Sequence, residues 1–434
     1  MRRMTGSIAL VPVVALALAA CGGGSSTSAK PTASGSSSSA KPADVKGELT
    51  WWDTSDATNE APTYKKLITK FNETYPNVKV NYQSVPFGDA QNKFKTAAAA
   101  KSGAPDILRA EVAWVPEFAS LGYLYALDDT VLVKDQADFL ETPVSSTKFD
   151  GKTYGVPQVT DSLALLYNKK LFAAAGVQVP KTWAEMKTAA AAIKTKTGKN
   201  GAFINPAGYF LLPFIYGEGG DLLNAADKKI TVNSPAAVAG ATLAADLIKA
   251  PGFVKPPATD AYTAMMNGFT AGNVAMIVNG PWEVSNIKKA STFGGLDNLG
   301  VATVPAGSKR AGAPVGGHDY VIWSGMPAEK AAAATAFIAF MTSADSEAMA
   351  ADELGVLPTR SSAYAKVTNP IIGQFKPVMD AAVARSWIPE GGQLFGPLDE
   401  AATKIMVQGQ DPKAALDAVA NKYKTEVVKS YTAN

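Results

Sequence analysis

Leu163-Ala164-Leu165-Leu166-Tyr167 is followed, a short way on, by Pro180-Lys181-Thr182-Trp183-Ala184-Glu185-Met186. The first stretch is a short apolar run that reads as a buried strand. The second holds a capping box, Thr182 with Glu185 three residues later, and so opens a helix that runs to about Thr195. A strand handing over to a helix is the repeating unit of α/β architecture.

The same alternation continues upstream. Leu49 to Trp52 reads as a strand, and Thr63 to Tyr75 has helical spacing of Tyr64, Leu67, Ile68 and Phe71 before Pro76. Val78, Val80 and Tyr82 alternate as in a strand, Ala90 to Lys101 is an alanine-rich helix, Asp106 to Leu108 a short strand, and Val115 to Leu121 a helix stopped by Gly122. Downstream, Ser234-Pro235 starts a helix to about Lys249. Val274 to Val278, Val301 to Val304 and Tyr320 to Trp323 read as strands, and Pro327 to Met341 as a helix. The tail from about Asn369 is helical with a break near Ile388 to Pro397, and Gly217 to Gly220 and Gly316-Gly317 read as turns.

The first twenty residues read as a targeting signal rather than as part of the fold. Arg2 and Arg3 supply positive charge, and Ile8 to Ala20 is an apolar run too short for an ordinary membrane span. It ends in Leu18-Ala19-Ala20-Cys21, which is similar to a bacterial lipobox, and Cys21 is the only cysteine in the chain. That resemblance implies lipidation of Cys21. Gly22 to about Lys46 is Gly, Ser, Thr, Ala, Lys and Pro with almost nothing to bury, and is expected to be a disordered tether. About 25 residues of such chain span roughly 25–30 Å root-mean-square.

The rest, from about Gly47 to Asn434, is too long for one ordinary core and predicts two lobes. Loss of Arg2 and Arg3 takes the formal charge from +3 to about +1. With no basic run or aromatic-interleaved basic patch, nucleic acid is not an expected partner. One histidine, His318, and one cysteine cannot build a Cys/His zinc site, and no nucleotide-binding, zinc-protease or EF-hand motif is present. No metal or cofactor is expected.

Several motifs then fall in order: Pro105-Asp106-Ile107-Leu108, Phe118-Ala119-Ser120-Leu121-Gly122-Tyr123-Leu124, Lys152-Thr153-Tyr154-Gly155-Val156-Pro157, the Leu163–Lys169 and Pro180–Met186 stretches, and Gly272-Asn273-Val274-Ala275-Met276-Ile277-Val278-Asn279-Gly280-Pro281-Trp282. Together they resemble the bacterial extracellular solute-binding proteins of family 1, the maltose-binding-protein-like carbohydrate group. The likeness runs from about Gly47 to the C-terminus. It implies an α/β, two-lobed periplasmic-binding-protein clamp with a hinge and a helical C-terminal tail. Residues 47–160 with 314–360 would form one lobe and 161–312 with 361–434 the other, with crossings near Val159–Ser162, Gly312–Pro314 and Arg360–Ser362.

The chemistry such a cleft needs is set by the sugar. The C–H faces of a pyranose stack on aromatic rings, and its hydroxyls need fixed partners, of which carboxylates are the stronger. The resemblance implies a stacking role for Trp282, after the strand ending Asn279-Gly280-Pro281, and for Tyr209 and Phe395, with Trp387 a competing aromatic. It implies hydroxyl-binding acids at Asp161 and Asp56, although a neighbouring binding lysine is replaced by Ala57 and a binding glutamate by Ala207. Glu111 and Trp114 offer the right residue types in a loop after a strand, departing from the family's spacing. His318 begins a strand near a crossing, and Arg360 reads as a hinge salt bridge. Trp51, Trp52, Trp183 and Trp323 read as core.

The reading is capture without catalysis. A monomeric, membrane-tethered protein outside the cytoplasm would bind a sugar, expected to be an oligosaccharide such as a malto-oligosaccharide, and deliver it to an ABC permease. The alternatives are a binding protein for another solute such as a polyol, a surface lipoprotein without small ligand, and a surface glycoside hydrolase using two carboxylates.

Overall fold

Trp51 and Trp52 point to opposite faces of one sheet, and between them they show how the first lobe is built. The molecule is described by a computed structural model over residues 41–134 and 136–433. The targeting signal, Cys21 and most of the tether lie outside these described residues. Trp51 joins a core with Tyr64, Phe71, Ile107, Tyr320 and Phe337, whereas Trp52 joins Phe94, Leu108, Phe118 and Val321 on the other side. Neighbouring residues alternate between faces because a strand has a side-chain period of two. Both faces are apolar because helices cover both.

This first sheet has the order Val78–Ser84, Gly47–Asp53, Ile107–Glu111, Val315–Ile322, Gly155–Ser162. The first three strands run parallel, and Val315–Ile322 is antiparallel to both its neighbours. Parallel neighbours need a crossover. Between Gly47–Asp53 and Val78–Ser84 that crossover is the helix Ala61–Thr74, which buries Tyr64, Leu67 and Phe71 and ends ahead of Pro76. The second sheet has the order Leu299–Thr303, Ala164–Asn168, Val274–Asn279, Asn200–Phe203. The tail helices Phe395–Met406 and Pro412–Lys422 add Leu398, Ile405 and Leu416 to its core.

The helix Trp183–Thr197 begins as its capping box requires. Thr182 Oγ1 accepts from Glu185 N at 3.2 Å, and the Glu185 carboxylate accepts from Lys181 N at 2.7 Å, one residue upstream of the usual partner. Trp183 stacks on Phe214 at 4.0 Å.

The chain passes from one sheet to the other at Leu163, since Gly155–Ser162 is a strand of the first sheet and Ala164–Asn168 of the second. Val159–Ser162 is therefore strand, not a loose connection. The return strand Val315–Ile322 lies directly beside it, with Val315 opposite Ser162. Leu357 bridges to Thr160, and Ala313 and Val315 exchange hydrogen bonds with Val383. The crossings thus form one hydrogen-bonded bundle.

Two readings need correcting. Gly316 and Gly317 are not a turn; they sit inside Val315–Ile322, where Gly317 has φ +134°. The body begins before Gly47, because Val45 is buried in the first core and Ala43 O accepts from Asn77. The helix Gly208–Gly217 shows no amphipathic period, being buried almost all round, and carries Pro213 inside it.

Trp51 is fully buried and touches Tyr64, Tyr82, Tyr320 and Phe337. Trp51→Ala should lower the unfolding free energy by about 3–5 kcal/mol, read from the midpoint of urea denaturation.

Candidate functional site

In an open α/β sheet, ligands bind beyond the carboxyl ends of the strands. In the first sheet the three parallel strands end at Asp53, Ser84 and Glu111. At or just beyond these ends stand Asp56 in the first loop, Phe87 and Trp114 at the starts of the helices that follow, and Glu111 itself.

Asp56 is exposed and shapes its own loop. Its Oδ1 accepts from Thr58 N at 2.9 Å, Thr58 Oγ1 at 2.9 Å and Asn59 N at 2.6 Å. Partial burial works against the charge, but these hydrogen bonds hold the carboxyl below its ordinary value. The next residue but two, Asn59, reaches the second lobe: its Oδ1 accepts from Ser285 Oγ and Lys289 Nζ, both at 2.9 Å. Ser285 and Lys289 lie on Val284–Lys289, the helix after Trp282, so the lobes touch here.

Glu111 and Asp161 meet around an arginine that sequence reasoning passed over. Glu111 Oε1 pairs with Arg385 Nη2, and its Oε2 accepts from Ala113 N at 2.9 Å. The Arg385 guanidinium lies over Phe395 at 5.6 Å and over Trp387 at 5.4 Å. Arg385 lies in a segment of irregular backbone whose only sequence signal was the neighbouring Trp387. Its charge is matched on the spot by Glu111.

Asp161 sits in the last turn of strand before the crossing, opposite Gly316. A Cβ at Gly316 would fall 2.2 Å from Asp161 Oδ1 and 2.7 Å from Tyr209 Oη. Glycine there makes room for both groups. Tyr209, second residue of Gly208–Gly217, donates to Pro314 O at 3.2 Å and comes within 3.5 Å of Asp161 Oδ1. Tyr209 also faces Phe395, with ring centres 6.1 Å apart. Burial pushes the Asp161 carboxyl up to about 7; Arg385 opposes this and Glu111 adds to it.

Trp282 closes the other end of this wall. The ring lies against the bare Cα of Gly280, where an added Cβ would come within 1.9 Å of it. Its Nε1 donates to Tyr262 Oη at 2.8 Å, and Tyr262 donates to Glu283 Oε1 at 2.6 Å. Tyr262 and Phe210 meet edge to face at 6.1 Å, which links Trp282 to Tyr209 through Phe210. Tyr262 and Glu283 carried no recognisable motif.

Trp114 is buried, with one face under Phe87 at 5.1 Å. His318 stands edge-on to Phe87 at 5.9 Å, opposite Glu111 in the sheet. Arg360 lies away from these groups, over the Phe139 ring and paired with Asp138 at 3.1 Å. Among the described residues no group of His, Cys, Asp and Glu is arranged to hold a metal, and no helix is long and apolar enough to cross a membrane.

Two sheets joined by bundled chain crossings, with a row of rings and the Asp161 carboxyl beside those crossings, make up the candidate site. Residues 56–348 match the sequence profile of the bacterial extracellular solute-binding proteins. The chain belongs to that family. It is similar to the GacH receptor of Streptomyces glaucescens GLA.O, solved without ligand and with acarbose: 41% identity, TM-score 0.85, 90% of this chain and all of that one covered. It is also similar to the maltooligosaccharide ABC transporter solute-binding lipoprotein of Streptococcus pneumoniae, at 28% identity over 91% of this chain and 92% of the relative. The maltotriose-binding protein of Pyrococcus abyssi is 24% identical over 88% and 82%.

In this solute-binding protein, burial puts a protonation equilibrium beside the hinge. A carboxyl held at about 7 against an ordinary 3.8 favours folding when protonated. The contribution is whole below about pH 4 and is lost as pH rises through about 7. Glu60 and Glu347 shift in the same direction for the same leading reason, burial. Denaturation at about pH 5 and about pH 8 should show lower stability at the higher pH, and Asp161→Asn should narrow the gap.

Proposed function

We propose that this protein is the substrate-capturing subunit of an ABC importer and that its ligand is an α-linked gluco-oligosaccharide of the malto-oligosaccharide class. The observation that carries this reading is the row Trp282, Tyr262, Phe210, Tyr209 and Phe395, set beside the carboxyl of Asp161. Flat apolar faces suit the C–H faces of pyranose rings, and a buried carboxyl among them suits ring hydroxyls. The Arg385 charge is taken up by Glu111, which favours a neutral ligand over a phosphorylated one. The same pairing removes Glu111 as a free acid or base, which favours binding over hydrolysis. The similar proteins named for maltotriose and maltooligosaccharides, and the receptor solved with acarbose, support the same ligand class.

In this reading Asp161, Tyr209, Trp282 and Phe395 contact the sugar directly, Asp56 serves the rim, and Glu111 acts through Arg385. The lobes, residues 47–160 with 314–360 and 161–312 with 361–434, swing about the crossings. Ligand favours the closed form only through contacts it makes there and not in the open form. The closed form docks on the permease. Cys21 carries the lipid that holds the protein on the outer face of the membrane, and residues 22–46 are chiefly its tether.

Calorimetric titration with glucose, maltose, maltotriose and maltotetraose tests this. Binding of the oligosaccharides is expected, and Trp282→Ala should weaken it by roughly 2–3 kcal/mol, the loss of a large buried anchor. Absence of binding to every member of the series contradicts the ligand class, and an unchanged affinity in the variant removes Trp282 from the site.

A further inference from the structure

Phe87 is a large ring left 49% exposed. Scattered exposed apolar side chains are normal and by themselves ask for no explanation. This one differs in how it is held. It follows the carboxyl end of Val78–Ser84, the edge at which Asp56 and Glu111 also stand. One face lies on Trp114, with ring centres 5.1 Å apart and planes 28° from parallel. Trp114 is itself buried and fixed at the start of Trp114–Ser120. A flat ring stacked on a rigid ring has one face covered and little freedom to collapse away from water.

A second observation lies beside it. Both ring nitrogens of His318 are buried, and neither has a hydrogen-bond partner among the described residues. Buried polar atoms without a protein partner are rare, and are commonly met by bound water or by a ligand. Burial first, then the charges of Arg109 and Arg385, keeps this imidazole neutral. A neutral imidazole offers one donor and one acceptor, the complement of a hydroxyl. His318 stands opposite Glu111 in the sheet, so this corner adjoins the Glu111–Arg385 pair and runs on through Phe395 to Tyr209.

We infer that Phe87, laid on Trp114 beside His318, is an outer stacking platform on the first lobe that takes the end ring of a longer oligosaccharide and so sets the preferred chain length. This rests on the sugar-binding reading above and adds a specificity-determining residue to it. A short ligand held at Trp282 and Tyr209 leaves Phe87 untouched; a longer one reaches it.

The test is calorimetric titration of the full protein and of Phe87→Ala, Phe87→Leu and Phe87→Trp with maltose and maltotetraose. Phe87→Ala should weaken maltotetraose about tenfold and leave maltose unchanged, the scale expected for one stacked ring. Phe87→Leu keeps an apolar side chain without a flat face and should lose as much, whereas Phe87→Trp should retain the affinity. Equal losses for both sugars, or no loss for maltotetraose, overturn the inference. Sugar uptake lost with affinity intact makes the ring a permease contact and also overturns it. If the unaltered protein binds neither sugar, the ligand class itself fails along with it; if it binds both and the variants are indifferent, only this inference fails.

Discussion

The contact between Asp161 and the bare backbone of Gly316 is the constraint on which the rest of the molecule depends. The two residues face each other on the strands that carry the chain out of the first lobe and back into it. Because Gly316 has no side chain, the Asp161 carboxyl can lie over the pair and Tyr209 can bring its hydroxyl in from the second lobe. The crossing between the sheets and the candidate site therefore share the same few residues. Leu357 O accepts from Thr160 N, and Val383 exchanges hydrogen bonds with Ala313 and Val315, so the crossings are braced on either side.

The way the parts divide follows from this. Trp282, Tyr262, Phe210 and Tyr209 belong to the second lobe and form one continuous aromatic face. Asp56, Glu111 and Trp114 stand at the carboxyl edge of the first sheet. The C-terminal tail supplies Arg385, Trp387 and Phe395, and links the two sides through the ion pair with Glu111 and the bond from Trp387 to Ser145. Asn59 makes a separate link with Ser285 and Lys289 across the opening. These links hold the lobes together in the arrangement seen here. On the function proposed above, a ligand would shift the balance between open and closed forms only by contacts that the closed form alone provides.

Much of this was legible in the sequence wherever a local rule operated. The capping box at Thr182 and Glu185, the helical spacing of Tyr64, Leu67 and Phe71, and the alternation from Val78 to Tyr82 depend on near neighbours and predict the elements found. What was illegible depended on distant partners. Gly316-Gly317 looks like a turn because glycine usually marks one; here Gly316 makes room for Asp161 and Gly317 for the Val159 carbonyl, both more than 150 residues earlier. Gly208–Gly217 is buried almost all round, so no apolar stripe declares the helix. Arg385 stands in a stretch without regular structure, and its role exists only because Glu111 arrives from another sheet. For the candidate site, the family resemblance drew attention to Asp161, Tyr209 and Trp282, while Tyr262, Glu283 and Phe87 enter through contacts that no spacing encodes.

On the function proposed above, one ligand is gripped from both lobes at once. A crystal structure of the protein grown with maltotetraose tests that claim most directly. The prediction is pyranose rings lying on Trp282 and Tyr209, with Asp161 within hydrogen-bond distance of a hydroxyl and first-lobe residues on the opposite side. A sugar seated on one lobe alone, or outside the space between them, would contradict it.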